Sequence, residues 1–188
     1  MTQCRVLLLP GWLDSDAAHW QSRWERQHGW RRVTQSDWLW PKRGDWMARL
    51  EEVLLESEAP AVLVAHSLGC HLVAAWAAHS QHKARVRGAL LVAPPDIERD
   101  DLPPNLHVWR PILRQSLPFP AIAVTSADDP YSSAEASARL VREWGARPIE
   151  LRALGHLNGA SGLGDWPAGQ ALVDELSVAH VERLAPGR

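Results

Sequence analysis

Residues 61–76 read AVLVAHSLGCHLVAAW. Ala61-Val62-Leu63-Val64 is a continuous apolar run of the kind that makes a strand buried on both faces, and Leu72, Val73 and Trp76 have the apolar spacing of a helix. Between them lies Ala65-His66-Ser67-Leu68-Gly69. A serine on a sharp strand-to-helix turn needs small residues two before and two after it, so that strand and helix can approach without a side-chain clash. Gly69 meets that need, and Ala65 stands where the usual pattern has Gly. Ser67 therefore reads as a nucleophile on a tight turn. The plainer alternative makes it a helix N-cap whose hydroxyl accepts from a backbone N–H.

Outward from this turn the same rhythm repeats. Apolar runs at 5–9, 31–36, 61–65, 88–93, 121–126 and 148–152 alternate with segments of helical period at 17–28, 45–56, 68–79, 133–144 and 168–183. Trp46, Leu50, Val53 and Leu54 share one stripe of the second helical segment; Leu172, Leu176 and Ala179 share one of the last. The pattern predicts an α/β fold, a parallel sheet of about six strands with helices on both faces. The length of 188 residues and the absence of a Pro- or Gly-rich linker predict a single domain over 1–188. Residues 94–120, with seven prolines including Pro103, Pro104 and Pro111, cannot hold a long regular helix and read as a long surface excursion, a binding loop or a passive connector.

A serine hydroxyl is a poor nucleophile at neutral pH and needs a base held by a buried carboxylate. In the strand–turn–helix arrangement these follow in the order Ser, acid, His, each on a loop after a later strand. The run at 121–126 leads into Ala127-Asp128-Asp129-Pro130, and the run at 148–152 leads into Leu154-Gly155-His156. Asp129 is the favoured acid because Pro130 pins the backbone just after it. Asp128 suits the bonding of turn amides, Asp96 is a further candidate, and taken alone the Asp-Asp-Pro run is an ordinary helix-initiating turn. Of nine histidines, His19, His28, His71, His79 and His180 fall on predicted helices, where a solvated or satisfied ring is expected; His79 with His82 suits a helix C-terminus, and His107 lies in the Pro-rich segment. His66 precedes the acid and suits a supporting role. His156, on a loop after the last strand and followed by small residues, is the base. Donors for a developing oxyanion are expected from the N–H of Leu68, just after the nucleophile, and of Trp12, where Gly11 permits close backbone approach.

Composition narrows the classes. Hydrophobic residues are 46%, charged residues 22%, and the formal net charge is −2, so the chain can bury a core and has no basic block to recruit nucleic acid. The basic set is almost all Arg, with Lys42 and Lys83 the lysines, a bias for which the sequence offers no functional account. The run Val6 to Leu9 ends at Pro10-Gly11, too short for a signal peptide's apolar region, and no stretch approaches a membrane span. Cys4 and Cys70 are too few for a disulfide framework and stand at no metal-ligand spacing, so a cytoplasmic location is expected; the sequence has no compact cluster of His, Cys, Asp or Glu such as two histidines four apart with an adjacent Glu, so no metal and no cofactor are expected. Of the eleven tryptophans, Trp20, Trp24, Trp46 and Trp76 read as core, while Trp12, Trp38, Trp40 and Trp109 fall in loops near strand ends, where they could wall an apolar pocket.

Taken together, Pro10-Gly11-Trp12, His19-Trp20-Gln21, Trp24-Glu25, His66-Ser67-Leu68-Gly69, Asp128-Asp129-Pro130-Tyr131 and Gly155-His156 resemble the small α/β-hydrolase family that includes retinoblastoma-binding protein nine and its bacterial YdeN-like relatives. The resemblance spans Pro10 to His156 and departs from the family pattern at Ala65. It implies a lidless, flavodoxin-like serine hydrolase with Ser67, Asp129 and His156 as the triad, acting on a small-molecule acyl substrate: an ester, thioester or amide. A rival reading is a catalytically weak interaction or scaffold protein on the same fold. Binding to a pocket protein, which in the family uses Leu, any residue, Cys, any residue, Glu, is not expected here, because Leu68-Gly69-Cys70-His71-Leu72 has Leu72 in place of the Glu. A nucleotide- or flavin-binding protein is disfavoured, since Pro10-Gly11-Trp12-Leu13-Asp14 has no Gly-rich phosphate cradle.

Overall fold

The computed structural model describes residues 4–178. Strands β1 (Arg5–Leu9), β2 (Arg31–Arg32), β3 (Ala61–His66), β4 (Val86–Val92), β5 (Ala121–Ser126) and β6 (Arg147–Leu151) form one sheet in the order β2-β1-β3-β4-β5-β6, all parallel. Helices α1 (Trp20–His28) and α5 (Pro167–Val178) cover one face, and α2 (Arg43–Leu55), α3 (Leu68–His79) and α4 (Ala134–Glu143) cover the other. Alternation along the strands divides the apolar residues between the two faces. Leu7, Leu9, Leu63 and Ala65 pack with Trp46, Leu50 and Trp76; Leu8, Val62, Val64 and Val92 pack with Trp20, Trp24 and Trp166. The expected α/β sheet of six parallel strands is present, and Trp20, Trp24, Trp46 and Trp76 are core as read.

Several elements differ in extent from their sequence reading. Strand β2 is two residues long rather than six, because it sits at the sheet edge and pairs with β1 only at Leu7↔Arg31 and Leu8↔Arg32. Helix α1 begins at Trp20 rather than 17, since Asp16 Oδ1 accepts from the amides of Ala18 and His19 and winds those residues into a turn. Pro148 lies within β6, tolerated on an edge strand whose N–H side can face away from the ladder. Ala179 and His180, and the end of the helix read over 168–183, lie outside the described residues.

Residues 94–120 are not a surface excursion. They hold one short 3-10 helix (Pro104–Trp109), with no inserted helical lid among the described residues, and they bury Ile97, Leu102, Leu106, Trp109, Ile112 and Phe119 in the larger core. A segment too rich in proline for a long helix is anchored by side chains instead.

Candidate active site

Parallel strands all end on the same edge of the sheet, so loops far apart in sequence meet there. At the end of β3, Ser67 has φ 55° and ψ −124°, a backbone conformation that costs an L-residue roughly 1–3 kcal/mol and is held by its N–H donating to Val92 O at 2.9 Å. The turn closes because Gly69 has no side chain: a Cβ there would stand 2.3 Å from Leu9 O. Ser67 is the residue before α3 but makes no capping bond with its side chain, which removes the N-cap alternative.

The hydroxyl of Ser67 lies 2.8 Å from His156 Nε2, across 89 residues of sequence. His156 Nδ1 is 3.0 and 2.9 Å from Asp129 Oδ1 and Oδ2. A carboxylate can only accept, so Nδ1 carries the proton and Nε2 presents its lone pair to the serine. Asp129 Oδ1 also accepts from Tyr131 N–H at 2.9 Å, and the Tyr131 ring packs edge-on against His156 at 4.6 Å. Asp129 and His156 are both buried, which strengthens their attraction relative to a solvated pair.

Asp128 and Asp129 play separate parts. Asp128 is bonded elsewhere: its Oδ1 accepts from Ser126 Oγ at 2.7 Å and from Gly155 N–H at 2.8 Å, and Ser126 Oγ accepts from Leu154 N–H at 2.9 Å. These bonds tie the His156 loop to the end of β5, and the Ser126 hydroxyl, then the Gly155 amide, hold the Asp128 carboxyl below its ordinary pKa. The Asp96 carboxylate takes part in none of this and accepts from Glu98 N–H, while the Asp96 amide donates to Tyr131 O at 2.9 Å.

The loop after β1 completes the edge. A Cβ on Gly11 would stand 2.7 Å from Ser67 Cβ and 3.1 Å from Leu68 N, so glycine is required for the loop to abut the turn. Neither the backbone N–H of Trp12 nor that of Leu68 is used in a hydrogen bond among the described residues, while the Trp12 indole donates to Leu39 O at 3.0 Å. Leu13 and Asp14 follow with φ 66° each, and Arg32 holds the loop through Asp14 at 2.6 Å. A cavity of about 650 Å³ opens here, its wall including Trp12, Ser67, Leu68, Tyr131 and His156.

Two supporting histidines and one glutamine stand behind these groups. His66 Nε2 donates to His156 O at 2.8 Å, fixing the backbone of that loop, and burial lowers the His66 pKa so that it stays neutral. His19 was expected to be a solvated or satisfied helical ring; it is instead buried at the N-cap of α1, on the cavity wall. Gln21 donates to Leu9 O and Val64 O at 3.3 and 3.0 Å, joining α1 to the ends of β1 and β3. Its position inside His19-Trp20-Gln21 was the available signal. His71 is satisfied as expected, donating to Pro95 O at 2.7 Å.

The tryptophan expectation holds at one position of four. Trp12 lines the cavity; Trp109 is buried with Nε1 donating to Pro41 O, Trp38 packs edge-on against Trp46, and Trp40 is exposed. The apolar wall comes from Ile97, Leu102 and Leu106 instead.

No curated protein matches the sequence. Among solved structures, a protein described as a YdeN-like hydrolase from Pectobacterium atrosepticum is similar at 28% identity and TM-score 0.82, over 98% of this chain and 94% of that one. The ydeN gene product from B. subtilis is similar at 19% identity and TM-score 0.71, over 93% and 98%. An esterase from a Rhodococcus species, at 12% identity and TM-score 0.67 over 94% and 91%, shares the fold. A family model described as serine hydrolase matches residues 6–175, and the chain belongs to that serine hydrolase family.

Proposed function

We propose that the protein hydrolyses an ester, thioester or amide through an acyl-enzyme on Ser67. His156 removes the Ser67 proton as Oγ attacks the carbonyl carbon, and Asp129 holds the ring in the required tautomer and stabilises the imidazolium that forms. The N–H groups of Leu68 and Trp12 receive the developing oxyanion. The bond from the carbonyl carbon to the leaving heteroatom then breaks, and His156 gives its proton to that atom. A water, deprotonated by the same ring, cleaves the acyl-serine and restores both side chains. The unbroken hydrogen-bond chain Ser67 Oγ, His156 Nε2, His156 Nδ1, Asp129 carries this reading, with 2.8 Å at its first link and 2.9 Å at its last. The strained Ser67 backbone and the small residues packed around it support it, since both serve an exposed nucleophile and neither serves a cap. With two free cysteines and no disulfide, the cytosol is the compartment we propose for this chemistry.

Intact-mass analysis after treatment with a fluorophosphonate tests the assignment. One adduct at Ser67 is expected, with none in Ser67→Ala. An adduct that survives in that variant contradicts the nucleophile, and a wild-type protein that takes up no probe favours the scaffold reading.

A further inference from the structure

Seven large apolar side chains stand exposed among the described residues, and five of them, Leu13, Leu39, Trp40, Val108 and Tyr131, lie on segments at the carboxyl edge of the sheet. Single apolar residues scattered over a surface need no explanation, but a group gathered on one edge does. Leu13 and Tyr131 also line the cavity before Ser67, so the exposed group begins at the wall of that cavity.

Three abutting segments carry this group outward from Leu13. The Leu13 N–H donates to Trp38 O at 3.2 Å and the Trp12 indole to Leu39 O at 3.0 Å, so the loop after β1 is joined to residues 38 and 39. Leu39 O also accepts from the Asn105 side chain, which joins the same residues to the 3-10 helix Pro104–Trp109. Side chains three apart in such a helix fall in line with one another. Leu106 and Trp109 are accordingly both buried, and Val108, 54% exposed, falls in line with Asn105, on the face that meets Leu39. Leu39 and Trp40, 52% and 61% exposed, are fixed rather than loose: Asp37 Oδ1 accepts from both of their amides at 2.9 Å. The hydrogen bonds of this edge thus hold a rim of apolar side chains in water.

We infer that the rim, from Leu13 through Leu39 and Trp40 to Val108, carries the far part of a long apolar chain, so that the substrate is an amphiphilic, long-chain ester. This rests on the serine hydrolase reading above. The occupant follows from where the rim begins. It is continuous with the cavity at Leu13, and a second copy or a partner protein laid across it would stand in the way to Ser67. A chain whose ester group reaches Ser67 passes over the same residues without closing the cavity. Each methylene that the rim takes from water favours binding. That contact is made by bound substrate and transition state alike, so it lowers KM and leaves kcat as it is.

The test measures kcat and KM for p-nitrophenyl butyrate and decanoate, each below the concentration at which it aggregates. A second pair, butyl and decyl acetate, tells whether the acyl or the alcohol part supplies the chain. In at least one pair the longer ester should be preferred about tenfold or more, through KM. Leu39→Ser combined with Trp40→Ser, and separately Val108→Ser, should each lower that preference about three- to tenfold by raising the KM of the longer ester. Leu55→Ser, at an exposed leucine next to the Leu54 carbonyl that Arg5 holds, lies at the other end of the strands and should leave the preference unchanged. No preference in either pair, a preference that survives both rim variants, or an equal loss in Leu55→Ser overturns the inference. So does a wild-type dimer that the rim variants turn into a monomer with its preference intact, since the rim then belongs to a second copy. Fluorophosphonate labelling at Ser67 without a chain-length preference overturns the inference alone; no labelling and no turnover overturn the serine hydrolase reading with it.

Discussion

Two cavities of similar size lie at opposite ends of the same strands, about 650 Å³ at the carboxyl ends before Ser67 and about 590 Å³ at the amino ends beside Arg5. Size does not separate them; the use made of polar atoms does. At the amino ends these atoms are spent on structure. The Arg5 guanidinium donates to the carbonyls of Val53, Leu54, Ser57 and Ala59 at 2.9 to 3.2 Å, closing the end of α2, and Arg31 pairs with Glu56. The Cys4 thiol donates to Pro60 O, and burial raises its pKa, which favours the thiol over the thiolate. At the carboxyl ends, Trp12, Ser67 and Leu68 line the cavity, Ser67 Oγ is bonded to His156, and the backbone amides of Trp12 and Leu68 make no hydrogen bond among the described residues. A cavity suits a reaction where its nucleophile is tied to a base and its backbone donors are held in place without an acceptor.

The division of labour among polar groups is sharpest at the adjacent aspartates. Asp129→Asn removes the charge that stabilises the imidazolium and should lower kcat by up to ~10⁴-fold. Asp128→Asn keeps one oxygen for the Ser126 and Gly155 contacts and should cost about tenfold or less, through looser placement of the His156 loop. Steady-state kinetics on one activated ester decides this, and reversed effects would make Asp128 the acid. Arg5→Met probes the other end. It should leave kcat/KM unchanged and lower the unfolding free energy by about 1–3 kcal/mol, because several carbonyls lose a charged donor. Lost activity with unchanged stability would show that the amino-end cavity takes part in function.

The meeting of Ser67, Asp129 and His156 was legible in the sequence because topology did the work. In an all-parallel sheet, knowing that Ser67, Asp129 and His156 each follow a strand is enough to bring them to one edge. The separation of Asp128 from Asp129 was legible through Pro130, which orders the turn beyond Asp129. What was not legible depends on where side chains point. Trp38, in a loop, and Trp109, at the end of the 3-10 helix, turn their rings into the core around Trp46, a choice made by packing that no local pattern records. His19 falls within a helical period, but the Asp16 carboxylate captures two amides, delays α1 until Trp20 and leaves the ring on the cavity wall. The prolines of 94–120 ruled out a long helix and concealed that Ile97, Leu102 and Leu106 would furnish both core and apolar wall.

The most direct measurement of the central claim is kcat/KM against pH for a short-chain p-nitrophenyl ester, in wild type and in His156→Gln. His156 must be neutral to accept the Ser67 proton, so the wild-type rate should fall as the solution becomes acidic. The substitution should remove that acid limb and at least ~10³-fold of the rate together, while His71→Gln keeps the limb. A Ser67-dependent rate that retains its acid limb in His156→Gln would show that another group is the base and would contradict the account.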